Sequence, residues 1–231
     1  MITEQYFRNK IRKYYISNGR DFFWRHKKLT PFQVMLTELF LKKTRAETVE
    51  KHVFNFLKEF PSCEKILQCK NSVLLKKVLP LGLGRQRITA LKKATLYLKN
   101  YLRNRLSSNI KEISKIPYIG LYTANAIICF GFNKRSPILD VNASRIISRF
   151  FSIRNDLDLR DNVELQDKAR KLLPRNGFKE YNWGLLDIGA MICKTRPFCF
   201  KCSLQRRCQY CLSKSDQYTR KDLKERRFIN R

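Results

Sequence analysis

The sequence predicts an all-α protein of roughly ten helices. Glycine is scarce, with 8 residues in 231, and no long stretch alternates between apolar and polar residues as a half-buried strand would. Apolar residues instead recur at helical spacing, and one such stripe consists of Val49, Val53, Phe56, Leu57 and Phe60. The length favours one compact domain or two small lobes.

Three further segments show where helices begin and end. Pro31 precedes the letters FQVMLTELFL, which predicts a helix with proline in its first turn, buried because it is apolar nearly all round. A Pro-x-x-Gly turn precedes a second helix over 121–132. Asp161 and Glu164 form a capping-box pattern for a third, which a proline stops after Leu173.

The charge is strongly positive. There are 49 Lys and Arg against 19 Asp and Glu, a formal net charge of +30. Nucleic acid is therefore the first expected partner and an anionic membrane surface the second. No apolar run is long enough to span a membrane, and residues 1–15 lack the apolar core of a signal peptide, which predicts an intracellular, cytoplasmic protein. The polar residues after Leu212 predict a loose basic tail.

The basic residues fall in short clusters. Any one cluster is compatible with a solvated face, but the total charge favours a surface that binds phosphates in a salt-dependent way. The clusters are Lys42, Lys43 and Arg45; Arg85 and Arg87 in LGLGRQR; Lys134 and Arg135; and Arg206 and Arg207.

Two motifs carry candidate chemistry. In KIPYIGLYTANAIICF, Gly120 would let successive amides point outward before a helix begins, which makes an anion site suited to a DNA phosphate. An ordinary helix–helix turn is the alternative. In PILDVNASRII, Asp140 lies between apolar residues just before a helical segment. It is either a helix N-cap or a carboxylate directed into a cleft beside the hairpin.

The cysteines near the C-terminus suggest a metal site. Cys193, Cys199, Cys202 and Cys208 have the spacing C-x5-C-x2-C-x5-C, and four thiolates in a short loop suit a [4Fe-4S] cluster. A competing set replaces Cys193 with Cys211 and could hold zinc. Disulfides are not expected in an intracellular protein.

Taken in order, these motifs resemble the helix–hairpin–helix-GPD superfamily of DNA glycosylases, from about residue 20 to residue 208. The resemblance implies that residues 116–123 hold a DNA phosphate and that Asp140 serves catalysis at the sugar. The letters NWGLLDIGAMIC resemble the segment that leads into the family's iron–sulfur loop. The family pattern there is C-x6-C-x2-C-x5-C, one residue longer in its first gap.

The resemblance also implies a two-lobed organisation. Residues 28–134 would form a six-helix barrel lobe with the helix–hairpin–helix. Residues 1–27 and 135–211 would form a helical lobe with the iron–sulfur cluster loop, and 212–231 the basic tail.

A second carboxylate comes from PFQVMLTELFLKKT. This segment resembles the helix that carries it in MutY-type adenine glycosylases and in thymine–DNA mismatch glycosylases, with Glu38 at its position. Two carboxylates suit hydrolysis of an N-glycosidic bond, because one stabilises an oxocarbenium-like sugar or assists water while the other acts on the leaving base or water. A buried Glu38 would have a raised pKa.

Three positions narrow the choice within the family. Endonuclease III-type enzymes have an imine-forming lysine two residues after the last hairpin glycine, where this chain has Tyr122. A phenol cannot form a Schiff base, which implies a monofunctional enzyme that leaves an abasic site. MutY-type enzymes have a glutamine pair where this chain has Lys42 and Lys43, and they continue into a domain that reads 8-oxoguanine, for which too few residues follow Cys208.

The hairpin departs from the family in one residue. The family has Pro-Gly-x-Gly, whereas this chain has Tyr118 in place of the first glycine. A side chain there restricts the turn and adds an aromatic ring beside the backbone.

The sequence therefore predicts a glycosylase closest to the thymine–DNA mismatch glycosylases of the MIG type, which removes thymine or uracil opposite guanine. Asp140 would stabilise the sugar cation, Glu38 would act on the base or water, and Tyr122 would line the pocket. The alternatives are adenine excision opposite guanine or 8-oxoguanine, and a DNA-binding relative without activity. The expected partner is duplex DNA with a mismatched or damaged base, bound by a monomer. Expected DNA contacts are Lys42, Lys43, Gln86, Tyr118, Gly120, Arg206 and Arg207.

Overall fold

The computed structural model describes residues 2–154, 158 and 162–214. Within these ranges the regular structure is helical and contains no strand, so the predicted all-α class is confirmed. The described residues form thirteen α-helices, three of which are single turns of four residues (α2, α8 and α13 below). The helices are α1 (Ile2–Asn18), α2 (Phe23–His26), α3 (Pro31–Leu41), α4 (Ala46–Glu59), α5 (Cys63–Gln68), α6 (Asn71–Val78), α7 (Gly84–Leu102), α8 (Ile110–Ile113), α9 (Leu121–Ala126), α10 (Val141–Phe151), α11 (Val163–Leu172), α12 (Phe178–Met191) and α13 (Gln209–Leu212).

Contacts between Cα atoms divide the chain into two compact units. One comprises Met1–Arg20 and Pro137–Arg231, and the other comprises Asp21–Ser136. Each has its own apolar core, with Phe7 and Phe150 in the first unit and Met35 and Leu91 in the second. Among the described helices, none is both long and apolar enough to cross a membrane.

In the unit 21–136, α3 is a central buried helix. Its first turn is fixed by a capping box, because the Thr30 hydroxyl accepts from the Gln33 amide at 3.2 Å and the Gln33 side chain accepts from the Thr30 amide at 2.9 Å. Pro31 occupies the first helical position, as predicted. Every residue from 34 to 40 is buried, so the prediction of a helix without a solvent face is confirmed.

The helix that follows the hairpin changes its winding. It begins as α9 and continues as a π-helical turn over Ile127–Gly131, so the predicted segment 121–132 is helical up to residue 131. Gly131 lies against the start of α3, where a Cβ atom would come within 2.7 Å of the Pro31 Cα. Glycine is needed here because any side chain would separate the two helices.

The unit that contains both chain termini is built around α12. Its Gly189 lies against α10, where a Cβ atom would come within 2.6 Å of the Asn142 Cβ. The start of α11 is capped by Asn162, whose side chain accepts from the Leu165 amide at 3.0 Å, and Leu173 caps its end as predicted. The predicted capping residue Asp161 and the tail from residue 215 onward lie outside the described residues.

A buried carboxylate ties the end of α1 to α12. Asp187 has 0% of its surface exposed and accepts from the Arg20 backbone amide at 2.9 Å and from Arg20 Nε at 2.7 Å. Removing one partner of a buried pair leaves the other charge without compensation.

We therefore expect Asp187→Ala to lower the free energy of unfolding by about 3 kcal/mol in urea titrations followed by far-UV circular dichroism. The matched control is Asp167→Ala, since Asp167 forms an exposed ion pair with Arg170 and should contribute less than about 1 kcal/mol. Equal losses in the two variants would contradict the structural importance of Asp187.

Candidate active site

Helix α3 carries the predicted carboxylate. Glu38 is only 7% exposed, so the expectation that it is not a surface glutamate is confirmed. One helical turn later, Lys42 caps the C-terminal end of α3. Burial of the ammonium group lowers the pKa of Lys42, and the charge of Glu38 opposes that shift. The end of α3 therefore places an acid and a base within electrostatic reach of each other.

A buried arginine organises the same helix end. Arg87 is 5% exposed. Its guanidinium donates to the carbonyls of Leu39 at 2.8 Å, Gly82 at 2.8 Å and Lys42 at 3.0 Å, and also to the Thr44 hydroxyl. These acceptors come from the end of α3 and from the turn before α7. The helix carbonyls that lack partners within α3 are thus satisfied by a cation.

This placement corrects one sequence-based interpretation. Arg87 was grouped with the basic clusters expected to bind phosphate, but its donors are engaged with protein oxygens inside the unit. Burial also lowers its pKa. The sequence shows that a residue is a charged arginine but not whether it is buried. Arg85, two residues before Arg87, is exposed.

A cleft of about 170 Å³ lies beside the end of α3. We call it the Lys42 cleft. The structure brings four of the predicted DNA-binding residues to its walls, together with Leu83, which sequence reasoning missed although it is an apolar residue between two glycines. Its lining includes Leu39, Lys42, Lys43, Leu83, Gln86 and Tyr118.

Three residues of the Lys42 cleft have left-handed backbone conformations although none is glycine. The φ angles are 55° at Lys43, 56° at Leu83 and 67° at Tyr118. Each costs about 1–2 kcal/mol relative to an ordinary conformation. Strain of this kind persists where surrounding structure enforces it, and it concentrates at functional sites.

The hairpin forms one wall of the cleft. Its turn is closed by a hydrogen bond from the Ile119 amide to the Ile116 carbonyl at 3.0 Å. Pro117 is the second residue of this turn and Tyr118, with its positive φ, is the third. A type II turn has proline and glycine at these positions. The Lys42 amine donates a hydrogen bond to the Tyr118 carbonyl.

The special backbone conformation predicted for Gly120 is not observed. Its φ of −86° and ψ of 178° are extended backbone that any residue adopts, so the left-handed residue of the hairpin is Tyr118 instead. A Cβ atom at Gly120 would meet nothing within 4 Å. Neither the backbone conformation nor a close contact therefore requires glycine at this position. Tyr122 lies two residues further on and is half-buried.

The other unit contains Asp140, which is the N-cap of α10 and is partly exposed. Its Oδ1 accepts from the Ala143 amide at 2.7 Å, and its Oδ2 accepts from the Asn142 side chain at 3.0 Å. The capping role that sequence reasoning offered as the alternative is therefore real. Since both oxygens have fixed donors, the carboxylate has a defined orientation.

Asn142 connects Asp140 to the cysteine segment. Its side-chain oxygen accepts from Arg145 Nη2 at 2.7 Å. Arg145 also donates to the carbonyls of Gly189 at 3.2 Å and Cys193 at 2.7 Å. Neither Asn142 nor Arg145 was predicted. Their spacing of three on one helix face is the only sequence signal that could have found them.

Five cysteine thiols lie near one another in this unit. Burial, reinforced by neighbouring thiols that include Cys211 and Cys208, raises the pKa of Cys199 to about 12. Burial and its neighbours, which include Cys193, likewise raise the pKa of Cys202 to about 12. Within the described ranges, no group of three or more Cys, His, Asp or Glu residues has an arrangement that could hold a metal ion.

The basic residues of the cysteine segment are accessible. Arg206 and Arg207 are exposed, and the Arg207 guanidinium lies 4.9 Å from the centre of the Tyr6 ring. Arg149 donates to Cys193 Sγ at 3.4 Å and to the Lys194 carbonyl at 2.7 Å. The segment thus combines thiols with arginines.

A comparison with protein-family models decides the family. Residues 36–175 match the model of the HhH-GPD superfamily base excision DNA repair protein, and this match includes both candidate carboxylates. The chain belongs to the HhH-GPD superfamily. As an HhH-GPD protein it is a DNA glycosylase of base excision repair, so the predicted enzyme class is confirmed.

Curated HhH-GPD relatives cover most of the chain. It is 32% identical to the thymine/uracil-DNA glycosylase of Methanothermobacter thermautotrophicus, over 87% of this chain and 95% of the relative. It is 30% identical to the thymine/uracil-DNA glycosylase of Pyrobaculum aerophilum, over 86% and 88% respectively. An adenine DNA glycosylase of Buchnera aphidicola is also 30% identical, over 90% of this chain and 59% of the relative.

Solved structures agree with the family. A thermostable thymine-DNA glycosylase superposes with a TM-score of 0.85 at 31% identity and covers 91% of this chain and 97% of its own. Endonuclease III in a non-covalent DNA complex superposes with a TM-score of 0.78 at 18% identity, over 94% of this chain and all of its own, and supports the fold alone.

For this HhH-GPD protein we expect Arg145→Met to slow single-turnover base release about tenfold, because the Asn142 amide loses the partner that fixes it beside Asp140. Quench-flow or manual sampling at saturating enzyme measures this rate. The matched control is Arg170→Met, an exposed arginine of the same unit. Full activity of Arg145→Met would contradict the proposed connection.

Proposed function

We propose that this chain is a monofunctional DNA N-glycosylase that removes thymine or uracil mispaired with guanine from intracellular duplex DNA and leaves an abasic site. The observation that carries the proposal is Asp140, a partly exposed carboxylate with a fixed donor on each oxygen. The substrate class is supported by similarity to thymine/uracil-DNA glycosylases over nearly their whole length.

The two carboxylates divide the chemistry. When the N-glycosidic bond breaks, its electron pair leaves with the base and positive charge develops on the sugar. Asp140 stabilises that charge, since the Ala143 and Asn142 donors keep its carboxylate in place. Water then adds to C1′ and gives up a proton, while the base gains one. Glu38, buried in α3, acts on the base or orders the water.

DNA binding relies on exposed cations and on backbone amides. Lys43 and Gln86 line the Lys42 cleft, and Arg206 and Arg207 are exposed in the cysteine segment. A Cβ atom at Gly120 would meet nothing within 4 Å, so the backbone there is open to a ligand, and the proposal assigns a DNA phosphate to the amides that follow it. The target base has to leave the helical stack to reach a carboxylate, and mispaired bases unstack at lower cost.

The family resemblance places Tyr122 where endonuclease III-type enzymes have an imine-forming lysine. Tyr122 is half-buried, and in this proposal its phenol lines the pocket that receives the base and offers no amine to the sugar aldehyde. Base release is therefore expected without strand cleavage.

A [4Fe-4S] cluster held by Cys193, Cys199, Cys202 and Cys208 completes the proposal. The donor set fits chemically, because soft thiolates are the ligands of such clusters and the four thiols lie near one another in one unit. When bound, the cluster would supply a rigid framework for a loop that presents Arg206 and Arg207.

Asp140→Asn tests the catalytic assignment. We expect base release to fall by at least about a thousandfold, because the carboxylate charge that stabilises the sugar cation is lost. Labelled duplexes with G:T, G:U, A:G and A:8-oxoguanine are treated with and without alkali after incubation, and binding is measured in parallel. Retained activity of Asp140→Asn would remove the assignment.

The same duplexes separate the alternatives. Alkali-dependent cleavage at G:T or G:U fits the proposal, whereas cleavage at adenine would move the chain to the adenine glycosylases. Cleavage without alkali would contradict the role of Tyr122. Binding without release from any duplex would favour an inactive relative.

Metal analysis of protein purified without oxygen tests the cofactor. We expect about four irons and four sulfides per chain with broad visible absorption, and loss of both in Cys202→Ser. Cys69→Ser is the control, since Cys69 lies in the other unit. One zinc per chain in place of iron would contradict the cluster.

A further inference from the structure

One residue of the hairpin, Tyr118, has a backbone conformation that is unfavourable for a residue with a side chain. Tyr118 has a φ of 67°, in the left-handed region, and is 46% exposed. Glycine adopts this conformation freely, whereas a side chain makes it unfavourable. A contact outside the turn therefore has to keep the hairpin in this shape.

Lys42 provides such a contact. Its amine donates a hydrogen bond to the carbonyl of Tyr118, the residue whose φ is left-handed. The other end of Lys42 is fixed too, because its own carbonyl accepts from Arg87 Nη2 at 3.0 Å. One residue thus joins the buried Arg87 to the exposed hairpin.

We infer that Lys42 is a positioning residue, which holds the Tyr118 turn so that the amides after Gly120 face a DNA phosphate. This inference rests on the proposed function, in which residues 116–120 and the start of α9 bind the DNA backbone. It gives Lys42 a different role from Lys43, which lines the same cleft and is expected to contact DNA directly.

The environment of the amine agrees with this role. Lys42 as a whole is exposed, but desolvation around its amine lowers the pKa of Lys42. A lysine that only neutralises a phosphate needs no protein acceptor. Lys42 has one, on the single residue of the hairpin with strained backbone.

A double-mutant cycle tests the inference. Lys42→Met keeps the aliphatic stem and removes the donor, and Tyr118→Gly removes the strain. The two single variants, the double variant and the unchanged protein are compared by equilibrium binding to one undamaged duplex at several salt concentrations. Circular dichroism melts confirm that each variant is folded, and Lys42→Arg keeps a donor and should bind within about threefold of the unchanged protein.

We expect Lys42→Met to weaken binding about tenfold in the natural hairpin and less than about twofold in the Tyr118→Gly background, because a relaxed turn no longer needs the contact. The slope of log Kd against log salt should stay nearly constant. Lys43→Met should show the opposite pattern, with equal losses in both backgrounds and a slope reduced by about one.

Two results would overturn the inference. Equal losses for Lys42→Met in both backgrounds with a reduced slope would make Lys42 a direct phosphate contact, and no loss in either background would make it irrelevant. Base release by the unchanged protein is scored separately. Release without the Lys42–Tyr118 coupling refutes only this inference, whereas coupling without release from any duplex refutes only the proposed activity.

Discussion

The candidate site in the unit 21–136 depends on the hydrogen bonds that the buried guanidinium of Arg87 donates. Removing a cation from water usually costs much free energy. Here the hydrogen bonds that protein carbonyls and a hydroxyl accept from the guanidinium compensate for that cost. Those acceptors belong to the end of α3 and to the turn before α7, so one side chain fixes both walls of the Lys42 cleft. The carbonyls of Lys42 and Gly82, which flank the cleft, are held by that one guanidinium.

The sequence predicted what local patterns determine. The apolar spacing of α4 and the proline at the start of α3 were sufficient to predict these two helices, because each pattern depends on one helix alone. The local motif singled out Asp140, the family resemblance added Glu38 and gave both carboxylates a role, and the burial of Glu38 agrees with a position inside the protein. These successes need no knowledge of distant contacts.

What the sequence could not predict depends on tertiary structure. The sequence suggests that Arg87 is a surface charge. Its burial could not be predicted, because the oxygens that accept its hydrogen bonds belong to residues as distant in sequence as Leu39. The sequence suggests that Gly120 has the unusual backbone conformation of the hairpin. The left-handed residue is Tyr118 instead, and its carbonyl accepts a hydrogen bond from the Lys42 amine. Asn142 and Arg145 are ordinary polar residues of a helix, and only the folded unit shows that they link Asp140 to Cys193.

The left-handed residues around the Lys42 cleft also bear on how this chain could be engineered. Glycine or asparagine at Lys43, Leu83 and Tyr118 would relieve backbone strain, so a laboratory selection for heat resistance alone would enrich those replacements. A parallel selection for mutation suppression in a repair-deficient host would retain whichever side chains the enzyme uses. The difference between the two surviving populations would separate the residues kept for activity from those that the fold merely tolerates.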